Sequence, residues 1–224
     1  MAKAITVTNL VRKYTLGEVL VTALDNISLS IEQGEFVSIM GTSGSGKSTL
    51  LNLIGGLDRF DSGKIIVDEL DIASLDENEL AKYRREKIGF IFQSYNLIPT
   101  LTAQQNIELP LIFAGVPKDD RLSKTEQILR AVGLEKRMHH RPTEMSGGEQ
   151  QRVAIGRALI NGPSIILGDE PTGNLDSKTG EEIMELLTWM NKENGLTVIM
   201  VTHDPEKARY ADRTILIKDG RIIG

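Results

Sequence analysis

The spacing of apolar and polar residues changes character along the chain. Over residues 4–10 and 24–31 they alternate, the period of a strand with one solvated face. Gln33-Gly34 marks a turn, and Phe36-Val37-Ser38-Ile39-Met40 is a short apolar run of strand length. Asp61-Ser62-Gly63 turns the chain into a strand over 64–68. The charged stretch Glu77–Lys87 reads as a helix, and the apolar Ile88–Phe92 as a strand ending at Gln93. From about 101 to 159 the pattern is helical with no convincing strand. Thr102 is placed to cap one helix there. Ser123, with Glu126 three residues on, reads as the capping box of another. Pro110, Pro117 and Pro142 are expected to divide this segment. After Ser164 strands and helices alternate again: a strand at 165–167, a helix at 178–191, a strand at 197–201 and a helix at 205–210. Two short strands then flank Asp219-Gly220, a favourable hairpin turn. This alternation predicts an α/β core with a mixed sheet, an N-terminal antiparallel β region and an inserted α-helical subdomain. The predicted division is a core of 1–93 and 161–224, and a helical subdomain of 94–160, within one domain of 224 residues.

Composition narrows the function classes. The chain has 26 basic and 31 acidic residues, a net charge of −5, and no basic cluster, so no nucleic-acid partner is expected. It has no cysteine, which excludes disulfides and thiolate metal sites and suits a reducing cytoplasm. The longest uncharged stretch, 88–107, carries too many Gln, Asn, Thr and Ser residues for a membrane span. A role at a membrane would need another chain to supply the span.

The chemistry begins at Gly41-Thr42-Ser43-Gly44-Ser45-Gly46-Lys47-Ser48-Thr49, between the 36–40 strand and a helix that opens Leu50-Leu51-Asn52. Strand, glycine loop and helix in that order are the context of a phosphate-binding loop. Its glycines permit a tight path with N–H groups turned inward, and the helix N-terminus adds partial positive charge. Lys47 is in reach of β- and γ-phosphates, and Ser48 is a ligand for Mg²⁺. The fold class is therefore read as a P-loop NTPase core. A second apolar strand ends in Asp169-Glu170. Asp169 is assigned to Mg²⁺ and Glu170 to the attacking water, as general base or as the group that orients it.

A third stretch, Met145-Ser146-Gly147-Gly148-Glu149-Gln150-Gln151-Arg152, resembles the signature of the ATP-binding-cassette ATPases, the engines of ABC transporters. The resemblance covers essentially the whole chain. It implies that two copies pair head to tail, each ATP lying between the phosphate loop of one and Ser146, Gly147, Gly148 and Glu149 of the other. It also assigns Gln93 to Mg²⁺, to the attacking water and to the link with the membrane partner. Gly173-Asn174-Leu175-Asp176 becomes a loop at the dimer interface, His203 the residue that contacts the γ-phosphate, and Tyr14 the aromatic stacked on adenine. The family signature ends in glutamine where this chain has Glu149, whose charge would repel a γ-phosphate unless it points away or pairs with a base such as Arg152. Gly168 stands where alanine is expected, a difference read as a matter of packing. The stretches 35–41, 90–98 and 169–176 look like the lipoprotein-release and macrolide- or peptide-efflux branch, with a cell-division cassette in the same neighbourhood. The resemblance thus implies an Mg-ATP-hydrolysing subunit, peripheral on the cytoplasmic face of the cell membrane. It would be coupled to a permease and work in export or release of lipoprotein, peptide or antibiotic. A cell-division or soluble regulatory ATPase is the alternative. Leu97, Ile98, Leu109, Leu111, Ile112 and Phe113 are candidates for the docking surface, most of them expected in the core.

Overall fold

The computed structural model describes residues 2–224. The chain opens with a long antiparallel hairpin, β1 (Lys3–Leu16) and β2 (Val19–Glu32), joined through Gly17 at φ +62°. These strands run well past the 4–10 and 24–31 segments where the residues alternate. Near the tip both faces meet solvent, with Val19 and Leu20 each more than half exposed, so no alternating pattern marks it. Strands β4 (Ser62–Val67) and β5 (Leu70–Asp71) complete a sheet in the order β2-β1-β4-β5.

The second sheet is built from β3 (Phe36–Met40), β6 (Ile88–Phe92), β7 (Ile165–Asp169), β8 (Thr197–Thr202), β9 (Arg213–Lys218) and β10 (Arg221–Ile222). Its order is β10-β9-β3-β8-β7-β6. All its pairings are parallel except β10 with β9. Every residue of β8 is buried, which is why the 197–202 stretch reads as continuous apolar sequence rather than as alternation.

Among the described residues seven helices surround the sheets: α1 (Lys47–Ile54), α2 (Glu77–Lys87), α3 (Ala103–Phe113), α4 (Lys118–Ala131), α5 (Gly147–Leu159), α6 (Ser177–Asn194) and α7 (Pro205–Ala208). Two apolar cores follow from the period-two geometry of the parallel strands. Val37, Ile39, Ile165, Leu167, Ile199 and Val201 point to one face, where they meet α1 and the hairpin sheet. Phe36, Ile166, Val198 and Met200 point to the other, where they meet residues of α3, α5 and α6. α1 alone buries Leu50, Leu51, Leu53 and Ile54, at roughly 1.5–3 kcal/mol of transfer free energy each.

Two expectations for the helical segment fail. Ser123 caps nothing: α4 starts five residues earlier, after Pro117, with Asp119 and Asp120 favourably placed in its first turn. Pro110 does not divide the segment but lies inside α3, whose Ile107 and Leu111 are held against α5 and its neighbours. Burial of these side chains outweighs the hydrogen bond that a proline forfeits.

The register sets the position of the site. Met40 pairs with Thr202, Val201 with Asp169, and Asp169 with Phe92. Four adjacent parallel strands therefore end side by side, and the residues just beyond them are Gly41, His203, Glu170 and Gln93. The crevice at the carboxyl ends of parallel strands is where α/β sheets bind ligands.

Candidate functional site

The loop after β3 enters α1 through Gly46, at φ +102°, with no side-chain cap and no acid in the first turn. A Cβ on Gly46 would collide with the carbonyl of Ala23, so glycine is required both by conformation and by close approach. Gly44 also has positive φ (+77°) but faces open space, the side from which a phosphate would enter. Thr42, Ser43, Gly44 and Ser48 are exposed there, while Ser45, Lys47 and the partly covered Gly41, Gly46 and Thr49 face inward. The Lys47 ammonium, only 7% exposed, folds back onto the Thr42 carbonyl at 2.8 Å. The Ser45 hydroxyl is buried with no partner. Uncapped first-turn N–H groups, a cation held over the loop and a spare buried hydroxyl together form a cradle for an anion.

At the tip of β7 Asp169 accepts a hydrogen bond from the Ser48 hydroxyl at 3.0 Å. Burial pushes its carboxyl above the usual range, with the charge of Glu170 acting in the same direction, while the Ser48 bond and Lys47 oppose the shift. A half-buried carboxylate beside a hydroxyl fits a hard divalent cation. No cluster of three acidic, His or Cys ligands occurs among the described residues. A cation here would take its remaining oxygens from nucleotide phosphates and water, the usual pattern for Mg²⁺.

Glu170 is a non-glycine residue at φ +46°, a conformation that costs on the order of 1 kcal/mol or more. Its N–H is anchored on the Val201 carbonyl at 3.0 Å, and its carboxylate meets His203 Nδ1 at 2.9 Å. The strained backbone thus turns Glu170 away from Asp169 and towards the end of β8. Gln93 behaves differently. Its side chain lies on Gly173 and its amide faces Asn174 Oδ1 at 3.4 Å, while Asn174 Nδ2 donates to the Gln93 carbonyl at 2.9 Å. Gln93 is therefore tied to the 173–176 loop, whereas Ser48 pairs with Asp169 and Glu170 with His203. Tyr14, on β1 and partly exposed, donates its hydroxyl to Asp58 at 2.7 Å, and Arg12 covers one face of its ring at 4.4 Å.

The 145–149 stretch lies away from the phosphate loop in the bonding pattern, with Gly147 against Tyr95 and Leu175. Met145 is buried in the helical core, and Ser146 caps α5. Glu149 N–H donates to Ser146 Oγ at 3.3 Å, and Glu149 Oε2 accepts from Ser146 N–H at 2.8 Å, a complete capping box. The carboxylate's other oxygen accepts from Arg137 Nε at 2.8 Å. The base that neutralises Glu149 is therefore Arg137, not Arg152, which pairs instead with Glu182 at 3.2 Å. These bonds hold the Glu149 carboxyl below the usual range, the Ser146 N–H foremost. Among the described residues no hydrogen bond joins the 41–49 loop to 145–149.

Two residues of the site region escape a reading of local pattern. Arg157, on α5, donates to the carbonyls of Asn96 and, at 2.7 Å, Tyr95; both acceptors have positive φ, so the arginine fastens an unusual turn just after Gln93. Gln151, fully buried, donates to the Pro171 carbonyl beyond Glu170. Their only sequence signal is polarity on the buried side of an otherwise apolar helix. Gly168, in β7, has ordinary contact distance to Pro171 (3.4 Å) at the place of a Cβ, so packing does not exclude alanine there.

A glycine loop leading into an uncapped helix, a histidine at the tip of the neighbouring strand and an acid pair at the tip of the strand beyond it define a phosphate-loop nucleotide hydrolase. The ABC transporter family model matches residues 24–173. The chain is 53% identical over 218 residues to the uncharacterized ABC transporter ATP-binding protein MJ0796 of Methanocaldococcus jannaschii, covering 96% of this chain and 93% of that protein. It is 53% identical over 207 residues to the macrolide export ATP-binding/permease protein MacB of Brucella melitensis, covering 92% of this chain but only 32% of MacB. A dimeric, post-hydrolysis structure of MJ0796 bound to ADP and Pi superposes with a TM-score of 0.91 at 50% identity, over 98% of this chain and 97% of that one. The chain belongs to the ABC transporter family, as an ATP-binding ATPase with the fold expected from its sequence.

Proposed function

We propose that this ATPase closes with a second copy of itself around two Mg-ATP and that hydrolysis drives a membrane permease. The observation that carries this reading is the separation of two helix N-termini. The α1 terminus is an open anion cradle in the crevice, and the α5 terminus lies in the helical segment with no bond to it. Each copy then holds half of two sites, in keeping with the dimeric form of its relative with ADP and Pi.

In the proposed site the 41–49 loop holds the phosphates, Tyr14 stacks on adenine, and Ser48, Asp169 and Gln93 serve Mg²⁺. That ion, when bound, neutralises charge on the β- and γ-phosphates. The water oxygen attacks the γ-phosphorus, its proton passes to the Glu170 carboxylate, and the bond to the β–γ bridging oxygen breaks, leaving ADP and phosphate. His203 holds Glu170 in place before nucleotide arrives and touches the γ-phosphate afterwards. Ser146, Gly147, Gly148 and the Glu149 N–H close the site from the partner copy.

Residues 94–160 are proposed to move as a helical subdomain against the core of 1–93 and 161–224. The ties from Arg157 to the turn after Gln93, and from Gln93 to Asn174, support Gln93 as the transmitter. A groove of about 520 Å³ opens beside them, lined among others by Arg84, Phe90, Phe92, Pro110 and Phe113. Phe113 is 76% exposed, and Ile98 and Ile112 are also exposed, whereas Leu111 is buried. This groove is the proposed seat of the permease. Among the described residues no helix is long and apolar enough to cross a membrane; the proposed position is on the cytoplasmic face, held by that partner. The relation to MacB favours export or release of a lipoprotein, peptide or antibiotic over a cell-division or soluble regulatory role.

The test is purification of the tagged protein from gently solubilised membranes, with mass spectrometry of what accompanies it. A stoichiometric permease supports the reading. Recovery only in the soluble fraction, without such a partner, leaves the ATPase and removes the transporter assignment.

A further inference from the structure

We propose that Arg137 is a positioning residue for the shared ATP site: it neutralises Glu149, so that the N-terminus of α5 can receive a γ-phosphate in spite of the carboxylate in its first turn. The inference rests on the head-to-tail reading above. Four observations carry it.

The first is the place of the charge. Glu149 is the third residue of α5, and its N–H and that of Ser146 belong to the group of donors an anion would approach. The second is geometry. One carboxylate oxygen is held by the Ser146 N–H and the other by Arg137 Nε, both at 2.8 Å, so the side chain is clamped from two sides. The third is that Arg137 is itself oriented, since its Nη1 donates to His140 Nε2 at 3.1 Å. Arg137 lies in the short 135–137 turn rather than on α5, so it approaches the carboxylate from outside the helix. The fourth is that, among the described residues, Arg137 is the base ion-paired with Glu149. Arg152, on α5 itself, is engaged with Glu182.

Physically, a bare carboxylate beside an incoming γ-phosphate is a like-charge contact, strongly unfavourable when water is excluded. A guanidinium on its far oxygen removes most of that repulsion and leaves the capping bonds intact. Arg137 touches no nucleotide in this scheme; it acts through Glu149.

The experiment uses the full chain carrying Glu170→Gln, in which hydrolysis is slowed and an ATP-bound pair accumulates, and measures pairing by sedimentation with and without Mg-ATP. Arg137→Gln is expected to weaken ATP-dependent pairing at least about tenfold, by loss of a close charge pair. ATP affinity of the single copy by calorimetry should stay within about twofold, because that site is the 41–49 loop. Added Glu149→Gln should abolish the penalty, so that Arg137→Gln costs nothing in that background. Arg137→Lys, which keeps the charge, should recover part of the pairing. A penalty of equal size with Glu149→Gln would assign Arg137 to the fold alone and overturn the proposal, as would no penalty in either background. If the parent fails to pair with ATP at all, the head-to-tail reading itself is at fault, an outcome distinct from both.

Discussion

Two helices in this molecule begin with glycine-rich sequence and face opposite fates. α1 starts at Gly46 with no side-chain cap and no acid in its first turn. α5 starts at Ser146 with a full capping box and Glu149 in its first turn. The first leaves its N–H groups unsatisfied, with Lys47 parked on the loop's own carbonyl, a state that an arriving phosphate improves. The second satisfies itself and is stable alone. A terminus that must bind nucleotide in the single copy is left open, while one that meets nucleotide only when a partner delivers it is closed by weak local bonds. The same backbone dipole serves both; the side chains around it decide when it is used.

The widest gap between the two termini should appear on removing Lys47. Lys47→Ala loses charge-assisted bonds to phosphate, about 2–3 kcal/mol, and calorimetry on the single copy should show ATP affinity falling roughly thirty- to a hundred-and-fiftyfold. Unchanged affinity would remove the loop from its role. The matching change at α5 is Ser146→Asp, which keeps a good N-cap but puts a negative charge where the γ-phosphate would arrive. Thermal unfolding and single-copy ATP affinity should hold, while ATP-dependent pairing falls at least tenfold; a parallel loss of single-copy affinity would mean the two termini serve one copy.

Asp169→Asn tests what the open crevice costs. Burial raises the Asp169 carboxyl pKa, so its charged form is disfavoured by folding. A raised carboxyl pKa means that near neutral pH the folded state bears a penalty, which fades as pH falls into the carboxylate range. Without nucleotide the Asn variant should therefore melt higher than the parent near pH 7, the gain shrinking towards pH 4, while its Mg²⁺-dependent ATP binding is lost. A lower melting temperature near pH 7 would contradict that penalty. The smallest effect is Gly168→Ala, one strand position before the acid pair. There is room for the methyl group, and replacing glycine in a strand should stabilise by roughly 0.5 kcal/mol, read from denaturant unfolding. A loss of more than about 1 kcal/mol would show that packing does demand the glycine.

Much of this was legible in the linear chain, because phosphate loops, strand tips and capping boxes are local patterns. Phe36 to Leu50 reads as strand, loop and helix without any knowledge of the rest, and Thr102 is the cap it appears to be on paper. What escaped is held by distant partners. Arg137 reaches Glu149 from a separate turn, whereas the base suggested from the sequence, Arg152, pairs with Glu182. Asn174 ties down Gln93 from 81 residues away. Ser123 and Glu126 have the spacing of a capping box, yet Pro117 had already started the helix. The hairpin tip shows no alternation because both its faces are wet. The branch resemblance to macrolide-type exporters agrees with the relation to MacB.

The most direct test of a divided site is complementation between copies. In the Glu170→Gln background, proteins carrying Lys47→Ala or Ser146→Asp are mixed, and trapped ATP is counted in the paired fraction. Each alone should trap almost none. Together they should form mixed pairs holding about one ATP, because the intact loop of one faces the intact α5 terminus of the other. A mixture that traps no more ATP than its separate components would contradict a site shared between two copies.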